Sequence, residues 1–130
     1  KRHVSNHAGH RARVIGKTKG LHPKLRRNLN RLAKSTGRTI TVTSGCRARG
    51  SRRAPLSLHR RSVGCRAADI KGYGSKRRAI AIWKRLNPIS FGIGTYSKRG
   101  ANLHLDIGSK KIRGAAKVQW HWGRKRRRQG

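Results

Sequence analysis

The sequence predicts an α+β domain with a small, mostly antiparallel sheet and two helices. Three observations predict it: two segments with apolar residues every three to four positions, several short β-branched or alternating runs, and glycines or prolines between them. With 130 residues of which 33% are hydrophobic, the chain can fill one small core but not two, so a single domain is expected.

Residues 1–20 mix Lys, Arg, His, Gly and Ala without periodicity and read as a basic arm, with one short strand near Val14 and Ile15. The folded domain is expected over 21–123, followed by a basic tail, 124–130. Leu21, Leu25, Leu29 and Leu32 mark one face of a helix over 21–35, with Pro23 in its first turn and Gly37 at its C-terminal cap. The β-branched run Thr39 to Thr43 reads as a strand, and a long basic loop, Arg47 to Arg61, follows it. Cys65 to Ile70 reads as a second strand. Ser75 caps a second helix over 75–86, whose buried stripe is Ala79, Ile80, Ile82, Trp83 and Leu86, and Asn87-Pro88 stops it. Phe91 to Tyr96, Asn102 to Ile107 and Ala115 to Trp122 complete the strands. Alternation along Asn102 to Ile107 puts Leu103, Leu105 and Ile107 on one face and His104 with Asp106 on the other.

Charge narrows the function. Lys and Arg number 36 against 2 acids, a formal net charge of +34. Such an excess attracts polyanions, with packaged DNA or an anionic envelope polymer as the expected partner. The basic residues spread over the whole chain apart from the tail, and aromatic residues are few, so direct base readout is not expected. Glutamate is absent, which excludes chemistry built on a Glu base. No apolar run is long enough to span a membrane, and no apolar stretch of secretory-signal character opens the chain. Methionine is absent as well, which predicts a product processed from a longer precursor.

The placement of the two acids carries the most information. His59 is followed ten residues later by Asp69, and His104 two residues later by Asp106. In so cationic a chain each Asp also makes a plain ion-pair anchor, but that does not account for two acids that both fall in His-bearing, Gly-rich segments. A zinc ion held by His59, Asp69 and His104 keeps a fourth position open, acidifies water and polarises a carbonyl, which outlines an amide hydrolase. Asp106 serves either as general base or as a partner that orients an imidazole. Of the remaining histidines, only His121, between two tryptophans, is a candidate neighbour of the site. The tryptophans themselves read as core.

The segments Ser44-Gly45-Cys46-Arg47, Ser57-Leu58-His59, Gly64-Cys65-Arg66-Ala67-Ala68-Asp69-Ile70, Gly92-Ile93-Gly94-Thr95-Tyr96 and Leu103-His104-Leu105-Asp106-Ile107-Gly108 together resemble the zinc D-Ala-D-Ala carboxypeptidase family. That family of murein peptidases and phage endolysins shares its fold with Hedgehog signalling domains. The likeness covers about residues 21–122. It implies a Hedgehog/DD-peptidase-like fold, Zn2+ on His59, Asp69 and His104, and Arg47 holding a substrate carboxylate, a role that suits the guanidinium fork. Two positions depart from the family pattern. The first His and the Asp are usually seven residues apart rather than ten, so the loop Arg60 to Cys65 must bulge outward, and Ala101 stands where many relatives carry an acid.

Cys46 and Cys65 admit three states: a disulfide, two free thiols, or a closed Cys2His2 zinc site with His59 and His104. A disulfide would indicate oxidising surroundings. The resulting expectation is a zinc peptidase that cuts peptidoglycan stem peptides at D-alanine, as carboxypeptidase or endopeptidase. Its expected setting is a phage virion, beside other virion proteins, or an extracellular or periplasmic space. The competing expectation is a basic virion structural or nucleic-acid-binding protein on a peptidase-like scaffold that no longer catalyses.

Overall fold

The computed structural model describes residues 12–49, 57–96 and 102–122. The earlier part of the arm with His3, His7 and His10, the position Ala101 and the tail 124–130 lie outside the described residues.

Leucine spacing builds the first helix, α1 (Pro23–Thr36), which buries Leu25, Leu29, Leu32 and Ala33. His22 caps its start, the ring nitrogen Nδ1 accepting from the Lys24 amide at 3.1 Å. Gly37 ends it in the left-handed conformation at φ 70°, where a residue without Cβ carries no steric penalty. The second helix, α2 (Lys76–Leu86), begins at Ser75, whose Oγ accepts from the Arg78 amide, and buries Ala79, Ile82 and Trp83. Between the helices, Asn28 donates from Nδ2 to Asn87 Oδ1 at 2.7 Å. A third helix, α3 (Lys110–Arg113), is too short to show periodicity in sequence, and Ser109 caps it.

The strands are β1 (Val14–Gly16), β2 (Ile40–Ser44), β3 (Ala67–Lys71), β4 (Phe91–Tyr96), β5 (Leu103–Asp106) and β6 (Lys117–Trp122), in the spatial order β1-β2-β3-β5-β4-β6. The sheet is mixed, antiparallel through its centre in keeping with the expectation but parallel at both edges, where β1 pairs with β2 and β4 with β6. A crossover sets the first parallel edge, because α1 carries the chain from β1 back to the starting end of the sheet. The ordered sheet also starts ahead of Leu21: Val14 pairs with Ile40, and Ala12 is buried.

One face of the sheet meets the helices. Ile40, Val42, Ala68, Ile70, Ile93, Leu103 and Leu105 point into that core, with Trp83 and the α1 leucines against them. The alternate residues, Asp69, His104 and Asp106 among them, therefore emerge on the other face.

Cys46 and Cys65 form a disulfide with their Cα atoms 4.9 Å apart, which selects one of the three states open to them. The bridge ties the end of β2 to the entry of β3. Closing a loop of this length stabilises by about 3 kcal/mol in the chain-entropy model. The double variant Cys46→Ser/Cys65→Ser is therefore expected to unfold with about 3 kcal/mol less stability in denaturant. An unchanged midpoint would show that the bridge contributes no constraint. No helix among the described residues is long and apolar enough to cross a membrane.

Candidate metal centre

Register across four strands builds one half of the centre. Asp69 on β3 lies directly opposite His104 on β5, His104 opposite Gly94 on β4, and Gly94 opposite Trp120 on β6. A Cβ on Gly94 would lie 2.6 Å from the Trp120 indole. The bare glycine thus lets the indole lie over β4, with its ring centroid 4.9 Å from that of His104. A Cβ on Gly92 would likewise collide with the Asp106 carboxylate. The two glycines leave the space that the acid and the aromatic ring occupy.

The other half arrives from a loop. The His59 carbonyl accepts from the Arg47 amide at 2.8 Å, and the Arg66 amide donates to Leu58 O at 2.8 Å, so the segment carrying His59 is pinned on both sides. Between His59 and Asp69 the chain forms a 3-10 turn, Arg61–Val63, whose following Gly64 and Cys65 both adopt positive φ. That turn takes up the ten-residue spacing while His59 stays beside Asp69.

The three side chains converge. His59 Nε2 is 3.5 Å and His104 Nδ1 is 3.1 Å from Asp69 Oδ1, and the potential ligand atoms all lie within 4.8 Å of one another. Each imidazole is oriented by its outer nitrogen. His59 Nδ1 is 2.8 Å from the Gly45 carbonyl, which can only accept, so Nδ1 carries the proton and Nε2 turns toward Asp69. His104 Nε2 is 2.9 Å from Asp106 Oδ2, leaving Nδ1 toward Asp69. Such partners behind the ligand histidines are the usual companions of a metal site. His59, Asp69 and His104 can therefore hold a metal ion, and a closed Cys2His2 site is excluded by the disulfide.

Electrostatics follow the same layout. Burial disfavours the His104 imidazolium, but hydrogen bonds to Asp106 and Asp69 outweigh it and push its pKa up to about 9. Burial would raise Asp69, but the hydrogen bonds from His104 and His59 hold its carboxyl well below the usual range. With a carboxylate at each ring nitrogen, His104 favours its charged form, and a cation bound there competes with that proton.

Asp106 is buried behind His104, on the side of the ring away from Asp69. Its side chain is only 2% exposed. Oδ1 accepts from the Gly108 amide at 2.9 Å and from Arg113 Nη1 at 3.1 Å, while Oδ2 meets His104. Of the two roles the sequence leaves open, this geometry fits orientation of His104, because both oxygens are engaged behind the ring. Arg113 had no mark in the sequence. Its guanidinium also donates to the carbonyls of Phe91, Gly108, Ala115 and Ala116.

Two groups flank the centre. Arg47 is half-buried, with Nη2 donating to Ser44 Oγ at 2.6 Å. Tyr96, on the same sheet face as Gly94, has its phenol pushed up by burial and by the charge on Asp69, with Arg47 pulling the other way. It therefore remains a hydroxyl donor at physiological pH. Sequence reading gave Tyr96 no role. His121, by contrast, sits on the opposite side of β6 from Trp120, is exposed, and pairs with Thr95 Oγ1 at 2.7 Å, so it is no neighbour of the centre. Of the tryptophans read as core, Trp83 is fully buried and Trp120 belongs to the site.

No protein-family model matches the chain, and no curated protein or solved structure matches it either. Fold and site define an α+β domain with a mixed sheet and a His/Asp/His group fit for a metal ion.

Proposed function

We propose that this protein is a zinc-dependent peptidase that hydrolyses peptidoglycan stem-peptide bonds at D-alanine. The observation that carries the reading is the orientation of the two imidazoles, whose outer nitrogens are tied down so that His59 Nε2, His104 Nδ1 and Asp69 converge. Two imidazole nitrogens and one carboxylate are a donor set typical of catalytic zinc with one place left for water or substrate. Zinc held there supplies Lewis acidity, polarising a carbonyl and making water nucleophilic near neutral pH. The choice of peptidoglycan rests on the segments that resemble zinc D-Ala-D-Ala carboxypeptidases.

In this reading Asp106 keeps the His104 tautomer and orientation. Arg47 pairs with a substrate carboxylate through the N–H groups that Ser44 leaves over, and the Tyr96 hydroxyl donates a hydrogen bond beside it. Both acids of the chain are engaged, Asp69 as ligand and Asp106 behind His104. No carboxylate is left to act as general base, a contribution typically worth about 10²–10⁴-fold, so turnover is expected to be slow. The disulfide and the charge suit a virion-associated or extracellular wall hydrolase.

The test is zinc titration of chelator-treated protein alongside release of stem-peptide fragments from purified cell wall. Wild-type protein is expected to bind one zinc and release fragments, and His59→Ala to lose both. Zinc binding without fragment release would overturn the peptidase reading, and no zinc binding by the wild type would overturn the metal site itself.

A further inference from the structure

A cleft of about 660 Å³ opens beside the Cys46–Cys65 disulfide, lined by Lys17, Lys19 and Arg61 together with Gly20, Gly45 and Gly64. None of the three candidate ligands, His59, Asp69 and His104, lines it. We infer that this cleft is a binding site for the phosphate backbone of duplex nucleic acid.

Its cations come from separate parts of the chain, Lys17 and Lys19 from the segment after β1 and Arg61 from the 3-10 turn after His59. The backbones of Lys17 and Arg61 are held in place. The Lys17 amide donates to Val42 O at 2.9 Å and the Arg61 amide to Arg47 O at 2.7 Å, and the disulfide locks the floor between them. Close backbone approach sets the walls: a Cβ on Gly45 would collide with the Lys17 carbonyl, and one on Gly20 would lie 3.2 Å from Cys46 Sγ.

No side-chain carboxylate is available to neutralise the cleft. The chain has 2 acids, and the ion pairs of both run to His59, His104 and Arg113. A concave surface with unneutralised charge of one sign focuses potential and draws in a counter-charge. Phosphate is the anion that clustered Lys and Arg serve best at such a site. The absence of aromatic side chains from the lining argues for contacts to backbone phosphates over stacking of unpaired bases, which favours duplex over single-stranded nucleic acid. This inference stands apart from the peptidase reading, since its cations, Lys17, Lys19 and Arg61, have no part in the metal centre.

Fluorescence anisotropy with a short labelled DNA duplex over a series of salt concentrations tests it. Two variants are compared. Lys17→Gln/Lys19→Gln/Arg61→Gln alters exposed side chains of the cleft, and Lys76→Gln/Arg77→Gln/Arg85→Gln removes the same charge from the exposed face of α2. The cleft variant is expected to lose at least about tenfold in affinity near physiological salt, with the slope of log K against log salt shallower by about 3. The α2 variant is expected to lose less than about threefold. Equal losses in the two variants would overturn the site, because binding would then be spread over the whole cationic surface. Poly(glycerol phosphate) serves as the second probe. If its binding falls in the cleft variant while duplex binding does not, the nucleic-acid assignment is overturned in favour of a wall polymer. Arg61→Gln alone, with about a third of the slope change expected, keeps the test decisive if the triple variant folds poorly.

Discussion

Replacing Arg113 by Met is expected to lower stability by about 3–5 kcal/mol, the cost of leaving one partner of a buried ion pair without the other. Asp106 is 1% exposed, so its carboxylate cannot turn to water when the guanidinium is gone. The loss is compounded at the backbone. Arg113 Nη2 alone reaches Phe91 O at 3.0 Å, Gly108 O at 2.7 Å and Ala116 O at 3.0 Å, joining the start of β4, the end of β5 and the approach to β6. Orphaned carbonyls in that position carry their own desolvation cost. His104 and the Gly108 amide still face Asp106, which places the expected value toward the lower end of the range. Arg113→Lys restores the charge but not the fork, so an intermediate loss is expected. Urea unfolding of the three proteins measures this, and a change below about 1 kcal/mol for Arg113→Met would mean that the pair contributes as little as a surface one.

The contrast between Arg113 and the two helices shows what the sequence could convey. Leu25, Leu29 and Leu32 declare their face by spacing alone, and Ser75 and Gly37 mark ends by chemistry that acts within a few residues. His104 and Asp106 were legible as neighbours for the same reason, since strand alternation is local. Asp69 and His59 were legible as a pair only through the scarcity of acids. Arg113 is one of 36 Lys and Arg residues, and its place is fixed by carbonyls that converge only after β4, β5 and β6 have assembled. Trp120 reads as core by composition, yet it lies beside His104 because Gly94, distant in sequence, leaves room for it. The parallel edges of the sheet were hidden for a related reason: β1 and β2 carry the same local signature whether paired parallel or antiparallel, and the return path over α1 decides.

Substituting Asp106 by Asn tests how the centre works, and metal affinity is where the largest effect is expected. Asparagine keeps the size of the side chain, but one of its two ends now donates. The three groups around the carboxylate, His104 Nε2, the Gly108 amide and Arg113 Nη1, are all donors in the intact site, so at least one meets another donor. The tautomer and basicity of His104 are then less well set, and zinc affinity is expected to fall by about 10–100-fold, as for other partners behind a ligand histidine. At saturating zinc, the peptide cleavage proposed above is expected to stay within about tenfold, because both Asp106 oxygens are engaged by His104, the Gly108 amide and Arg113. A carboxylate acting as general base would give the reverse pattern, with affinity retained and activity down by about 10²–10⁴-fold. Competition with a zinc-binding dye and fragment release at saturating zinc separate the two outcomes. Gly92→Ala provides an independent probe, since its Cβ presses on the same carboxylate while leaving the chemistry of Asp106 intact. It is expected to weaken zinc binding in the same direction, and a variant of normal affinity at that position would argue that Asp106 need not be held where it is.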